Sequence, residues 1–516
     1  MRCFGSSLVL CAALCLAADS AASFAAASST AVGEFESHAD VGTVLHPGIT
    51  TYDAANRTYT ITGSGANMWT TEDAFQFAWK KISGDVSVTA DIRFPKVGSN
   101  PHRKAVLIMR QSLAADSVYA DVALHGVGLT ALQYRPQIGA MTSDVELNFT
   151  KITDAPTRFR IEKHGDHILM FVSFHGEPLH FSGAAARVHL DGPFYIGLGV
   201  CSHDKDLSET AIFSNVEIHQ LSDMKPMASA PTLYSTLTTI SISPDAPVSR
   251  VVSSQAGRFQ APNWSRDGKS LFLDMSGRIM SVPAATAGDG APTALEIGSA
   301  TACNGSHGTS PDGKELAISC SMPDASGSHV YAVPIDGGTP RIITQNPSSY
   351  FHSWSPDGKT IAFTRPHPGG GDIWSIPAQG GAETRITTTA GISDDPDYSP
   401  DGQYIYFNSD RGGGTMQIWR MRADGTGAEQ ITSDDWNNWT PHPSPDGKWI
   451  VFLSYPKDVT GHPANKDISL RLMSLSDRKI RDLVDVFGGS GTMNTPNWAP
   501  DSQHLAFVNY ELVDPE

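Results

Sequence analysis

Three histidines hold matched positions beside a recurring four-residue turn. His307 and His352 each stand three residues before the serine of a Ser-Pro-Asp-Gly sequence, and His442 stands two before another. Other repeats place Pro262, Pro396, Pro441 and Pro496 at the first offset, and Asn263, Gly308, Ser353, Asp397 and Asn497 at the second. Imidazoles on converging strands can ligate a divalent transition metal, and a neighbouring His or Lys can abstract a proton α to a uronate carboxylate. Asp394, Asp395 and Asn494 join the set from approach loops. A loop from Tyr455 to Asp467, about ten residues longer than its counterparts, brings Lys457, His462 and Lys466 beside Trp436, Asn438, Trp439 and His442. Loops of that length are functional or merely mobile. The candidate ligand-binding residues are therefore His307, His352, Asp394, Asp395, Trp436, Asn438, Trp439, His442, His462, Lys466 and Asn494. The candidate metal ligands are His307, His352 and His442, and no catalytic residue stands out. Three readings compete: binding without turnover, a divalent metal serving chemistry on a polysaccharide, or histidines that only hydrogen-bond within a channel.

The elements that must position these residues are set by the turn itself. Its aspartates fall at Asp267, Asp312, Asp357, Asp401, Asp446 and Asp501, in steps of 45, 45, 44, 45 and 55 residues. Self-similarity at this period marks a propeller or a solenoid. An aromatic-tipped strand (Trp264, Trp354, Tyr398, Trp498) enters each turn, and an apolar strand such as Thr360–Thr364 or Tyr404–Phe407 leaves it. A second hairpin follows, as in Gln417–Thr426 leading to Glu429–Thr432. Proline second and glycine fourth is type I turn chemistry, with the aspartate free to bond its own backbone. Four strands in 45 residues make one propeller blade. The last repeat is cut short after Leu505–Val508, and Ser235–Ser243 with Ser249–Ser253 supplies the missing outer hairpin. Six blades over residues 235–516, closed by strands from both ends, would leave no exposed sheet edge. The turns occupy one face of such a ring, so the chemistry-bearing loops gather at the opposite face, around the channel mouth, where ligands usually bind.

This aromatic-Ser-Pro-Asp-Gly-Lys turn, followed by an apolar strand and an Ile-Trp-like strand, resembles the TolB-like (PD40, WD40-like) propeller over residues 232–516. The resemblance is specific for fold. Such propellers serve as binding modules, peptidase gates and, in some cases, polysaccharide lyases, so function must come from the site. No Gly-x-Ser-x-Gly elbow or hydrolase domain follows the repeats, which excludes a prolyl-oligopeptidase-like peptidase. No phosphate loop or dinucleotide fingerprint is present.

Residues 33–221 lack the 45-residue period. Short alternating strands there, among them Tyr59–Thr62, Val86–Phe94, Ala105–Met109, Phe159–Glu162, Ile168–Ser173, Tyr195–Val200 and Ala211–Ile218, indicate a β-sandwich. The run from Gly63 to Trp69, then Asp73–Phe77 and Gly84–Arg93, resembles concanavalin A-like (laminin-G-type) jelly-roll domains. That resemblance implies glycan binding, with Trp69, Trp79 and Tyr134 as either a sugar platform or core. Residues 222–234 read as a proline-containing linker. The fold class expected is all-β, a jelly-roll sandwich followed by a six-bladed propeller. A TolB of the Tol-Pal system carries a mixed α/β domain where this sandwich stands, which puts a Tol-Pal role in doubt.

The chain has 516 residues and a net charge of −17. That charge argues against nucleic acid and anionic membranes as partners. Residues 1–27 read as a signal peptide, with Arg2 before an apolar core at Leu8–Ala18 and small residues up to Ala27. No later stretch is long enough to span a bilayer. A periplasmic or secreted monomer is expected. Cys303 and Cys320 lie symmetrically about the turn at 310–313, opposite each other on adjacent strands. An oxidising compartment then predicts a disulfide, with a pair of buried thiols as the alternative, while Cys201 reads as buried and unpaired. The functional expectation is an exported binding protein that recognises a glycan or envelope component. Its alternative is a metal-dependent polysaccharide lyase or glycosidase using the mouth histidines.

Overall fold

The computed structural model describes residues 31–514, apart from 99, 148–156, 175, 224–229, 244–246, 286–289 and 324. The expected signal peptide, and residues 224–229 of the expected linker, lie outside the described residues. Nearly all regular structure is strand, and no helix among the described residues is long and apolar enough to cross a membrane.

Two antiparallel sheets form the front of the chain. One runs in the order Ser37–Val41, Phe75–Ile82, Phe194–Cys201, Lys104–Arg110, Tyr119–His125, Thr130–Arg135, Ser143–Leu147. The other runs His180–Arg187, His167–Ser173, Arg158–His164, Val86–Arg93, Asp204–Gln220, Thr58–Gly65, Ile49–Asp53. Period-two alternation sets which side chains meet between them. Val86, Val88, Ala90 and Ile92 of one sheet share a core with Ala105, Leu107 and Met109 of the other. The alternate residues Val106 and Ile108 turn to a second cluster on the far face, with Phe75, Phe77 and Trp79.

That second cluster removes the sugar platform suggested by the sequence. Trp79 is buried within it, and Tyr134 packs against the core between the sheets. Trp69 and Tyr134 each keep partial exposure, but Tyr134 leans on the core and the Lys104 ammonium stands 5.4 Å from the Trp69 ring centre.

The repeats fold as five four-stranded blades, each antiparallel throughout. The first is Phe259–Trp264, Ser270–Met275, Arg278–Pro283 and Thr293–Ala294; the third is Tyr350–Trp354, Thr360–His367, Gly370–Pro377 and Thr384–Arg385. Each turn is braced as its chemistry predicts: Ser355 Oγ donates to Asp357 Oδ1 at 2.7 Å, and the Lys359 N–H donates to the same oxygen at 3.0 Å. Aromatic tips tie neighbouring blades together. Trp354 Nε1 donates to the Gly308 carbonyl at 3.0 Å, and Trp498 Nε1 to that of His442 at 2.9 Å. Cys303 pairs directly with Cys320 across the second blade, and the two form a disulfide; Cys201 is a buried free thiol.

The remaining strands do not form a sixth separate sheet, which departs from the six-blade expectation. Thr232–Ser241 pairs with both Val248–Ala256 and His504–Val513, joining the two ends of the repeat region. Trp498 adds an isolated bridge to Leu505. Val248–Ala256 then runs parallel to Ser143–Leu147, matching Asp144 with Val248 and Glu146 with Arg250. These closing strands are thereby continuous with the first front sheet. Thr232 already lies within the predicted linker, so pairing starts before that segment ends.

Candidate functional site

Inner strands of the blades break register at the same depth. Shifts fall between Phe351 and Ser353, between Asp394 and Asp397, and between Trp439 and His442. A β-bulge re-aims the side chains beside it. Here the bulges turn His352, Asp394, Asp395 and Trp439 toward a cavity of about 650 Å³ on the face away from the turns. The other walls come from the third-blade hairpin, at Pro366 and Gly369 to Gly371, and from the long fifth-blade loop, at Gly461 and His462. Asn437 pins that loop, donating to the carbonyls of Lys457 at 3.2 Å and Val459 at 3.0 Å.

His352 is the centre of the arrangement. Its Nε2 lies 3.5 Å from Asp394 Oδ1, and its Nδ1 lies 3.3 Å from Asp395 Oδ1. Burial pushes His352 down to about 4, with Asp394 opposing and His442 and His462 adding to the fall. Burial, reinforced by the Asp394 carboxylate, holds Asp395 well above the usual carboxylate range. The Asp395 N–H donates to Asp394 Oδ1 at 2.9 Å, which fixes the half-buried member of the pair. Asp395 holds this position at φ 52°, a left-handed conformation that is strained for a residue with a side chain. His462 lies over Trp439 with ring centres 4.4 Å apart. Several buried polar atoms around the cavity have no hydrogen-bond partner among the described residues: His352 Nδ1, Asp395 Oδ2, Thr364 Oγ1 and Trp439 Nε1.

The candidate residues thus divide. His352, Asp394, Asp395, Trp439, His462 and Asn494 share the cavity. Asn494 also accepts a hydrogen bond from the Gly491 N–H at 2.8 Å. The expected metal triad is not gathered. His442 turns inward and bonds Asp397 at 3.0 Å, while His307 is completely buried with neither ring nitrogen in a well-formed hydrogen bond. Burial pushes His307 down to about 4, partly offset by the Phe272 backbone. Among the described residues, the group that does meet the spacing of metal ligands is His352 with Asp394 and Asp395.

Asn438 is a buried brace, donating to Gln417, Thr432 and Asp434 at 3.2, 3.3 and 3.0 Å. Trp436 leaves the mouth for a cleft of about 300 Å³ against the front sheets, beside His167, Arg187, Asp467 and Asp485. Lys466 is exposed on the strand Ala464–Ser474 and does not reach the cavity. Sequence reasoning missed Tyr350, Thr364 and Asp410 as cavity residues. The only signal for that wall was the run Pro366-His-Pro-Gly-Gly-Gly371, which marks a loop at the mouth of the third blade.

A smaller recess of about 250 Å³ opens at the turn face, ringed by Pro311, Pro356, Pro400 and Pro445. Its charged members, Arg266 and Asp397, are already engaged. Arg266 donates to the Ser310 carbonyl at 3.2 Å, and Asp397 bonds His442.

The PD40 family, the TolB beta propeller domain, matches residues 352–482. An uncharacterized protein of Agrobacterium fabrum (strain C58) is 47% identical over 265 residues, covering 51% of this chain and 89% of that protein. The Tol-Pal system protein TolB of Francisella tularensis (strain WY96-3418) is 28% identical over 160 residues, which is 30% of this chain and 36% of that protein. A solved structure from Agrobacterium tumefaciens, provisionally assigned to TolB, superposes with a TM-score of 0.51 at 44% identity, covering 55% of this chain and 100% of that one.

Proposed function

This chain belongs to the TolB-like β-propeller family, and from that footing we propose that it is an exported recognition protein whose mouth cavity binds a component of the cell envelope. The observation that carries the reading is the cavity of about 650 Å³ whose wall holds several buried polar atoms without partners. Buried polar groups are ordinarily satisfied, so a wall of orphans points to a ligand or water that completes it. A Tol-Pal system protein among the relatives supports an envelope partner and a periplasmic setting. We read the strands Thr232–Ser241, Val248–Ala256 and His504–Val513, with the Trp498 bridge, as a sixth blade shared between the chain ends. We read the two front sheets, residues 33–221, as a concanavalin A-like sandwich.

An envelope protein suits the mouth better than a glycan. Sugar stacking draws on an open aromatic face: Trp439 is covered by His462, and half-buried Tyr350 is left as a single ring at the wall, short of the paired platform a glycan favours.

The test uses the mature chain immobilised against two separate probes, solubilised envelope proteins and purified envelope polysaccharides. His462→Ala and Tyr350→Ala should each weaken capture of the protein partner by about tenfold, the size of a modest interface anchor. Lys314→Ala, on the turn face, should leave it unchanged. Wild-type capture by both mouth variants would remove the cavity as the binding site.

A further inference from the structure

We propose that His352, Asp394 and Asp395 form a divalent-cation site in the wall of the mouth cavity, suited to Mn²⁺ or Zn²⁺. One ligand atom from each residue lies within 4.8 Å of the other two. Ions bound at about 2.0 to 2.2 Å hold neighbouring ligands about 3 Å apart and opposed ones a little over 4 Å apart, so this spread fits one shared ion. The inference goes beyond the recognition role, because it holds whether or not a partner docks above.

Two further observations support a cation. His352 and Asp395 are 6% and 4% exposed, yet Asp395 Oδ2 has no hydrogen-bond partner among the described residues, and His352 Nδ1 has only the 3.3 Å approach of Asp395 Oδ1, without hydrogen-bond geometry. Leaving such atoms unsatisfied costs folding energy that a bound ion would return. The cavity wall also holds Asp410 as a third carboxylate and, among the described residues, no Lys or Arg to balance the negative charge. One imidazole with two carboxylates suits borderline divalent ions. Soft copper(I) prefers sulfur, and Ca²⁺ prefers six or more oxygens. Three protein ligands leave at least one position open toward the cavity, the arrangement found in metal sites that also bind a ligand.

The experiment titrates the chelator-treated, untagged mature chain with Mn²⁺ and with Zn²⁺ alone, using calorimetry for affinity and elemental analysis for stoichiometry. One ion per chain is expected. Asp394→Asn and Asp395→Asn should each weaken binding by at least about tenfold, the scale of loss seen when a metal site is disturbed. Asp435→Asn, an exposed acid of the fifth blade, should bind as wild type. If Asp395→Asn fails to fold, Asp394→Asn still decides, because its side chain is the more exposed of the two. No binding by wild type at millimolar metal would overturn the site. Wild-type affinity in a folded Asp394→Asn together with His352→Gln would overturn it equally.

Discussion

Asp144 carries a charge problem of its own, where the front sheet meets the closing strands. It is 4% exposed, and burial, then the nearby Glu146, pushes it up to about 8 against partial opposition from Lys104 and Arg250. The folded chain therefore keeps a proton that the unfolded chain releases near pH 4. Its contribution to stability is complete below about pH 4 and is lost as pH rises toward 8. Asp144→Asn cannot ionise, so its advantage over wild type should grow across that window. Urea melts of both chains at about pH 5 and pH 8 would read this as a larger midpoint difference at the higher pH. An equal offset at both would show that Asp144 is ionised in the fold. At the same scale, the site was half legible in the sequence. His352 announced itself by its offset from the turn, and the adjacent aspartates by their place in the approach to the next one. His442, one residue further along its strand, was grouped with them, but a one-residue shift in a strand reverses the side chain's direction. The bulge between Trp439 and His442 then sets it against Asp397. Tyr350 and Thr364 carried no signal, since common residue types gain their role only from where the hairpin places them.

Blades were legible because a turn is local chemistry. Serine, aspartate and glycine at fixed places specify the hydrogen bonds that the structure contains, and the 45-residue step follows. The cross-strand cysteines could be read in the same way, from symmetry about the turn. Their bridge closes a loop with a sequence separation of 17 residues. Replacing both cysteines with serine should lower stability by about 3 kcal/mol on the chain-entropy account. Urea denaturation of the oxidised chain and the double variant would measure it, and an unchanged midpoint would show that the second blade gains nothing from the link. What periodicity could not show was the parallel pairing of Ser143–Leu147 with Val248–Ala256. Partners a hundred residues apart in the chain leave no mark on either local pattern.

For the whole molecule that pairing is joined by charged contacts. Arg187 of the second front sheet donates to Glu511 at 2.9 Å and to Asp467 at 3.1 Å, and Arg250 donates to Glu146 at 2.9 Å. The Glu511 side chain is 3% exposed and also meets His167 Nδ1 at 3.1 Å. Arg187→Ala leaves Glu511 buried with only His167 beside it, and should cost about 3 kcal/mol, the low end for breaking a buried pair. With a continuous sheet and these ties intact, wild type should melt in one calorimetric transition and Arg187→Ala should broaden toward two. Two well-separated transitions in wild type would mean that the parallel seam is weak.

The seam between Thr232–Ser241 and His504–Val513 has a temporal consequence. Thr238 Oγ1 donates to Asn509 Oδ1 at 3.1 Å across 271 residues, so the clasp of the ring lies downstream of every blade it encloses. A ribosome delivers that clasp after all five blades. Until it arrives, the blades can stack on one another but the ring they make stays open.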